Sequence, residues 1–172
     1  LWSTATLADF RISELQPELQ PGSLIISGVM DLALSAKVEE AVSKGIPLDL
    51  EIEFRLKRER KWLWAEQLQS WKLKRQIRYH ALSGQYFVND PAASNQKPEN
   101  FISLQQALRH MGILSELSFD VASLEIYVDA NYILEARVSL DIESLPAPLR
   151  PVAYTSLDWH LNSGWSTWTV KR

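Results

Sequence analysis

The sequence predicts an α+β fold that is mainly β: an antiparallel sandwich or strongly curved sheet, with two short helices over 36–44 and 104–111. Three observations carry this. Apolar residues recur with a period of two along much of the chain, as in half-buried strands. Two segments break that period, and each is bounded by helix start and stop signals. The chain has 172 residues, 46% hydrophobic and 23% charged, which suits one globular domain taken as 1–172.

The strands come first. "LIISGVMDLAL" puts Leu24, Ile26, Met30, Leu32 and Leu34 on one face, with Gly28 in the row. "PLDLEIEFRLKRER" sends Leu48, Leu50, Ile52, Phe54 and Leu56 one way and the charged residues between them the other. "WKLKRQIRY" places Trp71, Leu73, Ile77 and Tyr79 together, and "YILEARVSLDI" aligns Tyr132, Leu134, Ala136, Val138, Leu140 and Ile142.

The helices follow from their ends. Ser35 is the N-cap of "SAKVEEAVSKG" and Gly45 stops it, with Pro47 forbidding continuation. Ser103 and Gln106 form a capping box in "SLQQALRHMG", and Gly112 ends it. Both units read helix, glycine, strand, which either shared helix-stop chemistry or an old duplication explains. Between them Asn89–Asn100, "NDPAASNQKPEN", is a polar loop and the expected first site of limited proteolysis.

Charge is concentrated in one hairpin. Arg55 to Arg78 holds nine basic and two acidic residues, net +7, against −10 elsewhere and −3 overall. Pairing Phe54 with Ile77 centres the turn on Ala65–Glu66, sets Glu53 against Arg78 and Glu59 against Lys72, and leaves Lys57 facing Lys74. The solvated side of a hairpin is the simplest reading. The candidate interaction surface is Arg55, Lys57, Lys61, Trp62, Trp64, Lys72, Lys74 and Trp168. Reversing Lys57, Lys72 and Lys74 to Glu is then expected to move the melting temperature by only a few degrees.

Catalytic signatures are absent from the sequence. It has no G-x-S-x-G, H-E-x-x-H, P-loop or G-x-G-x-x-G, and His80, His110 and His160 lack metal-ligand spacing. A Ser163–His160–Asp158 set is available, but nothing marks Ser163 as an activated nucleophile. The chain has no Cys, which removes disulfides and thiolate chemistry. No catalytic residue, cofactor or metal is expected. Counted as one strand, "LDWHLNSGWSTWTV" buries Trp165 and turns Trp168 outward, unless Gly164 is a bulge. Trp159, Trp165 and Trp168 then either seal the core or offer an aromatic platform.

The stretches "EEAVSKGIPL", the basic strand with Arg60 and Trp62, "YHALSGQYFV", "FISLQQAL", "LEARVSLDIESLPAPLRP" and "WHLNSGWSTW" cover most of the chain. In that order they resemble domain-of-unknown-function family number 4390, exported proteobacterial proteins without an assigned activity. The resemblance implies a periplasmic location, an export or anchor segment ahead of Leu1, and genes near those of a sensor kinase and its regulator. It supplies no catalytic residues. The expected function is a non-enzymatic interaction or accessory module for an envelope system. A binding domain for a lipid, glycan or peptide is the alternative, and a hydrolase comes third. The expected partner is another envelope protein, with an anionic lipid surface or a small apolar ligand behind it; nucleic acid is not expected.

Overall fold

The computed structural model describes residues 8–92 and 97–172. In chain order its elements are β1 (Phe10–Gln20), β2 (Ser23–Leu32), α1 (Ala36–Ser43), β3 (Leu48–Arg58), β4 (Glu66–His80), β5 (Gln85–Asn89), β6 (Glu99–Phe101), α2 (Leu104–Met111), β7 (Ile113–Asp120), β8 (Tyr132–Leu140), α3 (Arg150–Thr155) and β9 (Ser166–Thr169). Two antiparallel sheets form, ordered β1-β2-β7 and β6-β5-β4-β3-β8-β9. The protein is therefore mainly β with helices at the margins, as the periodicity predicts.

The cleanest alternation in the sequence makes the centre of the larger sheet. Leu48, Leu50, Ile52, Phe54 and Leu56 of β3 are fully buried, and so are Leu134, Ala136 and Val138 of the neighbouring β8. The smaller sheet adds Leu24, Ile26 and Met30 to the same hydrophobic cluster. Phe119 of β7 joins the layers, its ring 5.6 Å from Phe54 and 5.0 Å from Trp71. Such tilted aromatic contacts add to the area they bury.

The two sides of the sandwich close differently. On one side β1 meets the chain just past β9: Leu19 N–H donates to the Lys171 carbonyl at 2.7 Å, and Lys171 N–H to the Pro17 carbonyl at 2.9 Å. On the other side β5 pairs only with Gln76–His80 of β4. Among the described residues, the remaining edge of β4 and the outer edge of β7 carry no strand.

Both anticipated helices are present with their caps. Ser35 Oγ accepts from Val38 N–H at 3.3 Å, and Ser103 Oγ from Gln106 N–H at 3.2 Å. Gly45, at φ +86°, ends α1, with Ile46 N–H bonded to the Ala41 carbonyl and Gly45 N–H to Val42. Gly112 ends α2 differently. Its φ is −77°, and a Cβ there would stand 2.2 Å from the Met30 carbonyl oxygen. It is glycine because strand β2 passes against it. The two helix–glycine–strand units thus differ in geometry, one leading into the middle of a sheet and the other into an edge strand.

Several expectations are corrected. Asn89 and Glu99–Asn100 belong to the β5–β6 pair, so the loop is shorter than Asn89–Asn100; residues 93–96 of it lie outside the described residues. Ile142 and Leu157–Trp159 sit in 3-10 turns, not strands. Strand β1 and helix α3 were not anticipated at all.

Candidate functional site

The basic hairpin folds in a different register from the one that pairs Phe54 with Ile77. Phe54 faces Trp71, Ile52 faces Leu73 and Leu48 faces Ile77, a slip of six residues from the expected Phe54–Ile77 pair. An even slip keeps every side chain on its expected face. It also moves the turn, which now runs from Glu59 to Ala65 and carries Trp62 at its middle.

On the outer face the cations are answered by carboxylates from three strands and a turn. Lys72 Nζ lies 2.9 Å from Glu51 and 3.6 Å from Glu53, Lys57 Nζ is 2.8 Å from Glu135, and Lys74 Nζ is 2.6 Å from Asp141. Arg58 pairs with Glu66 at the neck of the hairpin, and Arg137 of β8 pairs with Glu53. Burial pushes the Glu53 carboxyl up, but Arg137 and Lys72 outweigh it and hold it below its ordinary value. The hydrogen bond to Glu51 raises Lys72, and that to Asp141 raises Lys74. The expected Lys57–Lys74 repulsion does not exist. Reversing Lys57, Lys72 and Lys74 would instead create three like-charge clusters, so the mild effect expected of solvated lysines does not follow.

The two C-terminal tryptophans exchange the roles expected of them. Gly164 has φ +67° and the strand restarts at Ser166, so parity counted from Leu157 is lost. Trp168 faces Leu134 and packs partly against the core. Trp165 lies on the outer face between two guanidiniums, 3.8 Å from Arg55 and 4.7 Å from Arg137. These are cation–π contacts that cap the ion ladder.

The structure therefore splits the anticipated surface. Arg55, Lys57, Lys72 and Lys74 are engaged in the ladder or under Trp165, and Trp168 belongs to the inner face. Lys61, Trp62 and Trp64 stand together at the tip. There Trp62 is 94% exposed, Leu63 67% and Trp64 93%. Among the described residues no carboxylate pairs with Arg60 or Lys61. The base of the loop is pinned, since Glu59 N–H donates to the Asn131 carbonyl at 2.9 Å. The Arg58 guanidinium sits 4.8 Å over the Tyr127 ring, which brings the loop before β8 to the same end of the molecule.

A second feature is one that sequence reasoning missed. Arg75 occupies an inward position of β4, in the row of Trp71, Leu73, Ile77 and Tyr79, and is only 5% exposed. Its Nη1 donates to the carbonyls of Met111 at 2.6 Å and Ile113 at 2.8 Å, tying β4 to the start of β7 across the open side. Its Nε lies 2.8 Å from Asp90 Oδ2, although the N–H does not point along that line. Burial lowers the Arg75 guanidinium and Asp90 works against that. The signal was present in the sequence: an arginine inside an apolar row. Beside it is a cleft of about 740 Å³ lined by Leu73, Arg75, Met111, Leu117 and Phe119 among others.

The Ser163–His160–Asp158 set forms no relay. Ser163 Oγ accepts from Val138 N–H at 3.0 Å and donates to the Gly164 carbonyl, while Asp158 pairs with Lys37 at 2.9 Å. Among the described residues no cluster of three His, Asp or Glu side chains is placed to hold a metal, and no helix is long and apolar enough to cross a membrane.

No curated protein and no solved structure matches this chain. Family membership is clear: the sequence model of the family described as Domain of unknown function (DUF4390) matches residues 8–169, and the chain belongs to that family.

Proposed function

We propose that this chain is a non-enzymatic interaction module of the bacterial envelope, working in the periplasm as an accessory to a membrane-associated partner such as a sensor kinase. Docking is through the tip of the β3–β4 hairpin. The observation that carries this is the exposure of Trp62, Leu63 and Trp64, three consecutive large apolar side chains that stand mostly in solvent. Contiguous apolar surface of that kind on a folded domain marks an interaction site. Lys57, Lys72 and Lys74 of the same hairpin support the reading by contrast, because carboxylates match them within the sheet.

The test separates docking from folding. In the full-length protein, Trp62→Ser, Leu63→Ser and Trp64→Ser together are expected to leave the melting temperature within about 2 °C, since exposed side chains contribute little to stability. Mild crosslinking in the cells that make the protein should lose the envelope adducts that the wild type gives. A folded triple variant with undiminished adducts would remove the tip from the docking surface.

A further inference from the structure

We infer that the hairpin tip inserts into a lipid surface bearing anionic headgroups. This rests on the docking reading and names the partner that the tip fits.

Exposure and charge both favour lipid over a protein groove. The two indoles at the tip are 94% and 93% exposed, so their own protein does not fix their rotamers. A protein partner would have to order them, which weakens association, and stable protein interfaces bury about 800 Å² on each side. A fluid bilayer accepts any rotamer. Tryptophan is the side chain that settles at the membrane–water boundary, with its ring among the acyl carbons and its N–H among the headgroups. Leu63 between the two rings extends the wedge.

Arg60 and Lys61 stand beside that wedge and, among the described residues, pair with no carboxylate, unlike Lys57, Lys72 and Lys74. Cations flanking an apolar insertion meet lipid phosphates at the depth where the indoles stop. The loop before β8 adds a second contact at the same end, where Val128 is 87% exposed and Tyr127 lies under Arg58. The wedge therefore has a flank on which to rest once the tip has entered.

The experiment is vesicle co-flotation with the full chain. Vesicles of phosphatidylglycerol mixed with phosphatidylethanolamine are compared with pure phosphatidylcholine, and brominated acyl chains report indole depth by quenching. The wild type is expected to float with the anionic vesicles, less so as salt rises, with part of its fluorescence quenched. Trp62→Ser with Trp64→Ser should abolish both signals. Arg60→Gln with Lys61→Gln should weaken binding about tenfold or more, since a basic residue near an anionic surface contributes on the order of 1 kcal/mol. Arg78→Gln, a cation exposed away from the tip, should change nothing. Absence of wild-type flotation, or flotation unaffected by the tryptophan substitutions, would overturn the lipid inference. The docking reading survives that result if the tip substitutions still remove envelope adducts in cells, and falls only if they do not.

Discussion

Arg75→Leu is expected to destabilise the fold by about 3–5 kcal/mol, the range for removing one partner of a buried ion pair. Three groups lose their cation or donor at once. The Asp90 carboxylate, with a side chain only 16% exposed, loses its counter-ion. The Met111 and Ile113 carbonyls lose the Nη1 that ties them to β4. An isolated buried charge and unfilled acceptors each carry a desolvation cost, and the apolar volume of leucine does not restore the link across the open side. Pairing the substitution with Asp90→Leu should recover part of the loss, because removing both charges is less damaging than removing one. Denaturant unfolding of the two variants gives both numbers. A single variant within about 1 kcal/mol of wild type would show that the clamp is incidental.

Gly112→Ala is expected to cost about 3 kcal/mol, at the upper end for overpacking. The sign is informative. If glycine were present only as a weak helix former, alanine would stabilise by up to about 1 kcal/mol. Here the new methyl group meets the Met30 carbonyl oxygen, a backbone atom that cannot swing aside. Relief requires separating α2 from β2, which breaks the 2.7 Å bond from Met30 N–H to the Gly112 carbonyl. Asparagine, which tolerates positive φ, should do no better than alanine, because φ at Gly112 is −77°. Stabilisation on thermal melting of the alanine variant would contradict the packing account.

How far these features can be read from sequence follows from local chemistry. Strands β3 and β8 were legible because one face is uniformly apolar and no bulge interrupts the count from Leu48 to Leu56 or along β8. Strand β1 was not, because its register shifts between Ile12 and Glu14 and the buried set changes parity from Phe10 and Ile12 to Leu15 and Leu19. The same bulge explains Gly28, whose Cβ would stand 2.4 Å from the Glu14 carbonyl oxygen. The hairpin tip escaped for a different reason. Its loop, Glu59–Ala65, contains no Gly, Pro or Asn, so nothing in it signals a turn. Pairing Phe54 with Ile77 looks for partners of the cations within the hairpin alone, whereas Glu135, Arg137 and Asp141 come from β8 and the turn after it. Lys61, Trp62 and Trp64 are legible in the sequence as a basic–aromatic cluster, but only the observed register places them at the tip, clear of the sheet.

The docking claim is tested most directly by site-specific photo-crosslinking in the cells that make this protein. A photoreactive residue replaces Leu63 at the tip or, in a second variant, Arg78 on the exposed outer face, and each protein is irradiated in place. Adducts, to lipid or to an envelope protein, are expected from position 63 and none from position 78. Adducts from position 78 with none from position 63 would show that this protein meets its partner through the sheet, and that the exposed tryptophans have another purpose.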